Sequence, residues 1–131
     1  MKGLVHIYTG DGKGKTTSAI GLAIRAVGQG FKVCFIQFIK GDKNTGELKI
    51  INTDFYDLII LDEILNLIDI KIINEDEILN IIKNKPQKLE LVLTGRGATS
   101  KIIKRADLVS EIKKIKHPYD KGIKARKGIE Y

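Results

Sequence analysis

At 131 residues, with 43% hydrophobic and 30% charged residues, the chain has room for one globular core and little more. No apolar run approaches the length of a membrane span, and the single cysteine, Cys34, excludes an internal disulfide and suits a buried thiol. The net charge of +7 is gathered at one end: from Lys101 onward ten Lys and Arg stand against four Asp and Glu, which accounts for +6. Such an excess fits nucleic acid, a polyphosphate-like ligand, or simply a Lys-rich solvated face.

Met1-Lys2-Gly3 leads directly into an apolar run, so no secretory signal fits and a cytoplasmic location is expected. Leu4 to Tyr8 reads as a strand. Glycines follow at 10, 12 and 14, then Lys15-Thr16-Thr17 and a helical pattern from Lys15 to about Gln29. A strand, a glycine loop, Lys-Thr and a helix form the P-loop arrangement. Gly10, Asp11, Gly12, Lys13, Gly14, Lys15, Thr16 and Thr17 are therefore the candidate phosphate-binding residues. Glycines let backbone N–H groups crowd an anion, the helix start adds unpaired N–H groups, Lys15 adds a point charge and the Thr16 hydroxyl suits Mg²⁺. Thr9 stands where the usual first glycine would be, with Gly10 one place later. The plain alternative is a glycine turn capped into a helix.

Ala19, Ile20, Ala23, Ala26 and Val27 form the apolar stripe expected to face a sheet, and Gly28 and Gly30 mark the helix end. Lys32 to Phe38 reads as a buried second strand. Ile39 to Gly46 reads as a glycine-bounded loop, and Leu48 to Ile51 is too short to assign. Asp57 to Glu63 is a third strand ending in two acids, the Walker B pattern, which makes Asp62 and Glu63 candidate Mg²⁺ ligands alongside Thr16. Alternatively, Asp62 caps a helix from Ile64 to about Ile70.

Asn74 to Glu77 resembles a capping box for a helix whose buried face is Ile78, Leu79, Ile81 and Ile82, with Pro86 just after its end. Leu89 to Thr94 is the fourth strand, and Arg96 at its edge is a candidate phosphate ligand. Ser100 to Arg105 is a short helix and Asp107 to Ile112 a fifth strand. The basic tail, about residues 113–131, is either frayed or a lid over the phosphate edge. His6 reads as an ordinary strand residue, and His117 has no evident partner. The alternation predicts an α/β chain, one P-loop NTPase-like domain over 1–131 with a mainly parallel five-stranded sheet flanked by helices.

Several blocks together are more specific than the P-loop alone. They are Gly10 to Thr17, Arg25-Ala26-Val27-Gly28-Gln29-Gly30, Gln37-Phe38-Ile39-Lys40-Gly41, Leu61-Asp62-Glu63, Leu93-Thr94-Gly95-Arg96-Gly97, Ala106 to Glu111, Lys116-His117-Pro118-Tyr119 and Gly128-Ile129-Glu130-Tyr131. In this order they resemble the P-loop ATP:corrinoid adenosyltransferases of adenosylcobalamin synthesis and salvage. The resemblance implies that cob(I)alamin, or another reduced corrinoid, attacks the ribose 5′-carbon of ATP and that triphosphate leaves as a unit. It implies ATP and Mg²⁺ as cofactors and corrinoid as substrate, with Lys15, Thr16 and Glu63 as the catalytic set. It also implies a homodimer, an electron-donor protein as partner, and no membrane or nucleic-acid partner. Two departures stand out: the family's N-terminal arm is missing, and a strand and helix between Gly41 and Asp57 are missing, together with aromatics that pack below the corrinoid. Phe55 and Tyr56 are candidate remnants of those aromatics or plain packing residues. The rival readings are a non-catalytic ATP-binding module on the same scaffold and a P-loop ATPase that acts on nucleic acid through its basic tail.

Overall fold

The computed structural model describes residues 1–38, 46–52 and 54–131, with backbone alone for 46–48. Within them the order is β1 (Val5–Thr9), α1 (Lys15–Gly28), β2 (Val33–Gln37), a 3-10 helix (Gly46–Asn52), β3 (Leu58–Asp62), α2 (Asn66–Asp69), α3 (Glu75–Asn84), β4 (Glu90–Thr94), α4 (Ser100–Arg105), β5 (Leu108–Glu111) and a second 3-10 helix (Pro118–Lys121). The strands pair in the order β2-β3-β4-β1-β5, every pair parallel. The glycine loop after β1 and the acids ending β3 are thus separated laterally by one strand, β4, and all three strand ends open at the same edge. Among the described residues no helix is long and apolar enough to cross a membrane.

Side chains alternate across the sheet and make two cores. Ile59, Leu61, Leu91, Leu93 and Ile7 pack with Leu67, Ile78, Ile82 and Ile102 of α2, α3 and α4. Leu58, Ile60 and Val92 pack under Ala19 and Ala26 of α1. The central strand β3 is buried along its whole length, as its unbroken apolar run requires. β5 is an exposed edge throughout.

Several local expectations hold and several need correction. Asn74 caps α3 with a complete capping box: its side chain accepts from the Glu77 N–H at 2.9 Å, and the Glu77 carboxylate accepts from the Asn74 N–H at 2.8 Å. The helix after β3 is only Asn66–Asp69: a turn over Glu63 to Leu65, opened by the left-handed φ of 62° at Glu63, precedes it, and Lys71, with φ 60°, follows it. Asp62 is not its cap. On α1 the sheet is met by Ala19 and Ala26, whereas Ile20 and Val27 face outward, Val27 being 59% exposed. Small side chains let the helix approach the sheet closely, and that selects the alanine face over the larger aliphatics. Cys34 is half-buried rather than buried, and burial pushes its thiol pKa up. The loop expected from Ile39, with Lys40 and Gly41 of the Gln-Phe-Ile-Lys-Gly block, lies outside the described residues up to Gly46, where the 3-10 helix begins.

Phe55 and Tyr56 pack against each other edge to face, centroids 4.9 Å apart, and the Lys32 ammonium sits 4.7 Å from the Phe55 ring centroid. They precede β3, whereas the acids end it. A five-residue strand separates its two ends by about 13 Å. These rings therefore stand at the opposite edge of the sheet from the P-loop, where Tyr56 packs against the core and Phe55 is 60% exposed.

Candidate active site

The P-loop starts where β1 stops. β1 continues through Thr9, whose carbonyl accepts from the Ile112 N–H at 2.8 Å, so the loop opens at Gly10. That accounts for the glycine being one place late. Gly10 has φ 109°, and a Cβ there would lie 2.2 Å from the Ile112 carbonyl oxygen. Gly12 donates its N–H to the same oxygen at 2.8 Å. Gly10 is not among the side chains and backbone that line the cleft; it allows the loop to lie against the chain leaving β5. Gly14 has φ 117°, a Cβ there would meet nothing within 4 Å, and it opens α1.

Asp11 to Thr17 line a cleft of about 680 Å³ together with Glu63, Arg96 and the tail residues Lys114, His117, Tyr119, Asp120, Ile129 and Glu130. This is within the usual size range of a ligand pocket. Lys15 points in and its ammonium donates to the Gly12 carbonyl at 2.7 Å. Burial, then the Arg96 charge, lower its pKa, opposed by Asp11, Glu63 and Asp62. Arg96 is set at the edge by its own N–H, which donates to the Asn66 side chain at 2.8 Å.

The two acids ending β3 point different ways. Asp62 is fully buried and accepts from the Thr16 hydroxyl at 2.9 and 3.0 Å, from the Thr94 hydroxyl at 2.6 Å and from the Gln37 amide at 3.2 Å. Glu63, turned by its positive φ, lines the cleft. Burial, then the neighbouring Asp62 charge, raise its pKa, and Lys15 opposes them. Among the described residues no three His, Cys, Asp or Glu side chains converge on one point. The donors present, the Thr16 hydroxyl and two carboxylates, are hard oxygens. They fit a Mg²⁺ that is held largely by phosphate and water, in keeping with that ion's habit.

The tail is a wall of this cleft. Glu130 accepts from Lys13 at 2.9 Å and pairs with Arg126 at 2.9 Å; Arg126, then Lys13, hold its carboxyl far below the ordinary range. The Lys114 N–H donates to Asp11 at 2.8 Å and pulls that acid's pKa down as well. His117 finds a partner in the Tyr119 N–H at 3.0 Å, and His6 in Glu90 at 2.5 Å. Sequence reasoning missed Thr94 and Gln37 as partners of Asp62. The signal for Thr94 was a polar residue closing an otherwise aliphatic buried strand.

The family described as ATP:corrinoid adenosyltransferase BtuR/CobO/CobP matches residues 1–55 and 49–131. The chain belongs to this family, and to its enzyme class, the corrinoid adenosyltransferases. It is 31% identical to the corrinoid adenosyltransferase of Escherichia coli strain K12, over 99% of this chain and 86% of that protein. It is likewise 31% identical to the corrinoid adenosyltransferase CobA of Salmonella typhimurium, with the same coverage, and 32% identical to a Sinorhizobium relative, over 99% of this chain and 81% of that one. The Escherichia coli match spans 169 residues against the 131 here, so at least 38 positions are filled in the relative alone. The family match breaks and restarts at residues 49–55, so this adenosyltransferase is shortened just ahead of β3. Among solved structures, AMPPCP-bound DnaA from Aquifex aeolicus superposes with a TM-score of 0.51 at 17% identity, over 86% of this chain and 41% of that one. That likeness concerns the P-loop NTPase-like fold.

Proposed function

We propose that the protein transfers the 5′-deoxyadenosyl group of MgATP to a reduced corrinoid, cob(I)alamin or a close relative, and releases triphosphate. The observation that carries this reading is the meeting of Lys15, Thr16, Glu63 and Arg96 in one cleft of a chain belonging to this family. In the reaction the cobalt(I) electron pair forms a bond to the ribose 5′-carbon. The carbon–oxygen bond to triphosphate breaks with its electrons on oxygen, and cobalt ends as cobalt(III). The corrinoid is the nucleophile, so no side chain has to be one, and no general base is needed.

The protein's task is to hold and neutralise the leaving group. Lys15 and Arg96 face the phosphates, with the free N–H groups at the start of α1 beside them. Asp62 holds the Thr16 hydroxyl, and Glu63 presents the carboxylate on the metal side. Mg²⁺, when bound, offsets the charge that gathers on the departing triphosphate. The lowered Lys15 pKa supports this assignment: a cation short of solvent has most to gain from a polyanion. The basic tail lines the same cleft, which favours an anionic small ligand over nucleic acid as its partner.

Since Phe55 and Tyr56 lie away from the cleft, the lower face of the corrinoid has to be completed from elsewhere, and a second subunit in a homodimer is the source we favour. An electron-donor protein supplies cobalt(I), in a cytoplasmic setting. The test is anaerobic incubation of the protein with MgATP and chemically reduced corrinoid, following cobalt–carbon bond formation by absorbance. Formation that depends on protein and is lost in Lys15→Met supports the reading. MgATP binding without any bond formation would make the protein an ATP-binding module instead.

A further inference from the structure

We propose that Thr94 is a positioning residue whose buried hydroxyl aims both β3 acids at the metal side of the nucleotide site, an inference that rests on the MgATP reading above. Thr94 ends β4, the strand between β1 and β3, and is fully buried. Its hydroxyl donates to Asp62 Oδ1 at 2.6 Å and accepts from the Glu63 N–H at 2.8 Å. One hydroxyl has a single proton and two lone pairs, so these are complementary uses of one group. The Thr94 carbonyl accepts from the Leu65 N–H at 3.1 Å and holds the turn that follows.

Each contact has a separate consequence in the cleft. The bond to Asp62 fixes the carboxylate that receives the Thr16 hydroxyl. The bond from Glu63 N–H holds a residue whose left-handed φ of 62° is unfavourable for a side chain with a Cβ, and it is this backbone turn that brings the Glu63 carboxylate to the cleft. Without the hydroxyl, Glu63 loses the bond that holds its turned backbone, and Asp62 keeps only Thr16 and Gln37 as partners. The phosphate-facing groups, Lys15 and the amides of Gly14 to Thr17, belong to the loop and α1, and the Thr94 hydroxyl bonds to the β3 acids instead. Loss of the hydroxyl should therefore disturb the metal side and spare the phosphate side. A purely structural threonine would affect both equally, through stability.

The experiment compares wild type with Thr94→Val and Thr94→Ser by calorimetric titration with ATP, in chelator and across a Mg²⁺ series. Folding is checked by circular dichroism, and Thr94→Cys replaces the valine variant if that variant does not fold. For Thr94→Val the Mg²⁺ concentration giving half-maximal enhancement of ATP affinity should rise by about tenfold, the effect of one lost buried hydrogen bond with its unsatisfied partner. Metal-free ATP affinity should stay within about twofold, and Thr94→Ser should return the Mg²⁺ requirement to near wild type because it restores the same donor and acceptor. In turnover, kcat should fall with little change in KM. An unchanged Mg²⁺ requirement in Thr94→Val, an equal loss of metal-free ATP affinity, or no restoration by serine would each overturn the proposal. Wild type that binds no ATP at all would instead overturn the nucleotide reading on which it rests.

Discussion

Replacing Gly10 and Gly14 separately by alanine distinguishes a glycine that shapes the P-loop from one that serves its ligand. Both have positive φ, 109° and 117°, so alanine meets backbone strain of about 1–3 kcal/mol at either site. The surroundings differ. A Cβ at Gly14 meets nothing within 4 Å, whereas at Gly10 it comes to 2.2 Å from the Ile112 carbonyl oxygen, 2.8 Å from its nitrogen and 2.9 Å from its carbon. These are backbone atoms, so no side-chain rotation relieves the overlap and the chain leaving β5 must move. Moving it loosens the Ile112 N–H to Thr9 and Gly12 N–H to Ile112 bonds, both 2.8 Å, each worth about 1 kcal/mol. Gly10→Ala should therefore cost about 3–5 kcal/mol and Gly14→Ala about 1–3 kcal/mol. At about 4 °C per kcal/mol for a domain of this size, the Tm losses are about 12–20 °C and about 4–12 °C. Thermal melts of the nucleotide-free proteins measure both. A Gly10→Ala loss no greater than that of Gly14→Ala would show that the Ile112 backbone does not confine this position.

Lys15→Met should weaken MgATP binding by about 1.5–3 kcal/mol in calorimetry, the loss of a charge-assisted phosphate contact, while the nucleotide-free Tm stays level or rises because a half-buried cation has been removed. Glu63 has a raised folded pKa, so the folded state holds a proton the unfolded chain releases; its contribution is greatest below the ordinary carboxylate pKa and is lost as pH rises through the raised value. The Tm of Glu63→Gln minus that of wild type should grow more positive between about pH 4 and pH 7, and a constant difference would contradict the assignment. If the segment missing ahead of β3 serves the corrinoid side, as the proposed reaction requires with Phe55 and Tyr56 at the far edge of the sheet, a mild protein reductant should support faster adenosylation of cobinamide than of cobalamin, because cobalt(II) without its lower ligand is easier to reduce. Strong chemical reduction should narrow the gap, and equal rates under mild reduction would count against it.

What could be read from the sequence was mostly local. Strand, loop and helix from Val5 to Gly28 follow from a short β-branched run, glycines and a helical apolar period. The Asn74 cap and the limits of α4 follow from side chains a few residues apart. The parallel sheet followed from alternation of strands with helices, but its strand order did not, since that depends on which apolar faces meet. This is why the pairing of the Thr94 hydroxyl with Asp62, 32 residues away along the chain, could not be read from the sequence, although a polar residue closing an aliphatic strand marks Thr94 itself. For the tail the sequence left a frayed end or a lid over the phosphate edge open, and the contacts that decide it are hidden for a related reason. The tail's hold on the P-loop is Glu130 against Lys13 and the Lys114 N–H against Asp11, contacts across 117 and 103 residues, and polar, glycine-punctuated sequence carries no period to announce such contacts. Conversely, Ile20 and Val27 belong to an apolar period yet face outward, because periodicity finds an apolar face without saying whether small or large side chains will meet the sheet.

In the proposed reaction the 5′-carbon of ATP, and none of its phosphorus atoms, is attacked in this cleft. The phosphorus products distinguish these routes when the protein, MgATP and chemically reduced corrinoid react under anaerobic conditions, resolved by phosphorus NMR. Attack at carbon yields inorganic triphosphate in a one-to-one ratio with adenosylated corrinoid, and that is the expected result. ADP with phosphate as the products, or AMP with pyrophosphate, would contradict it.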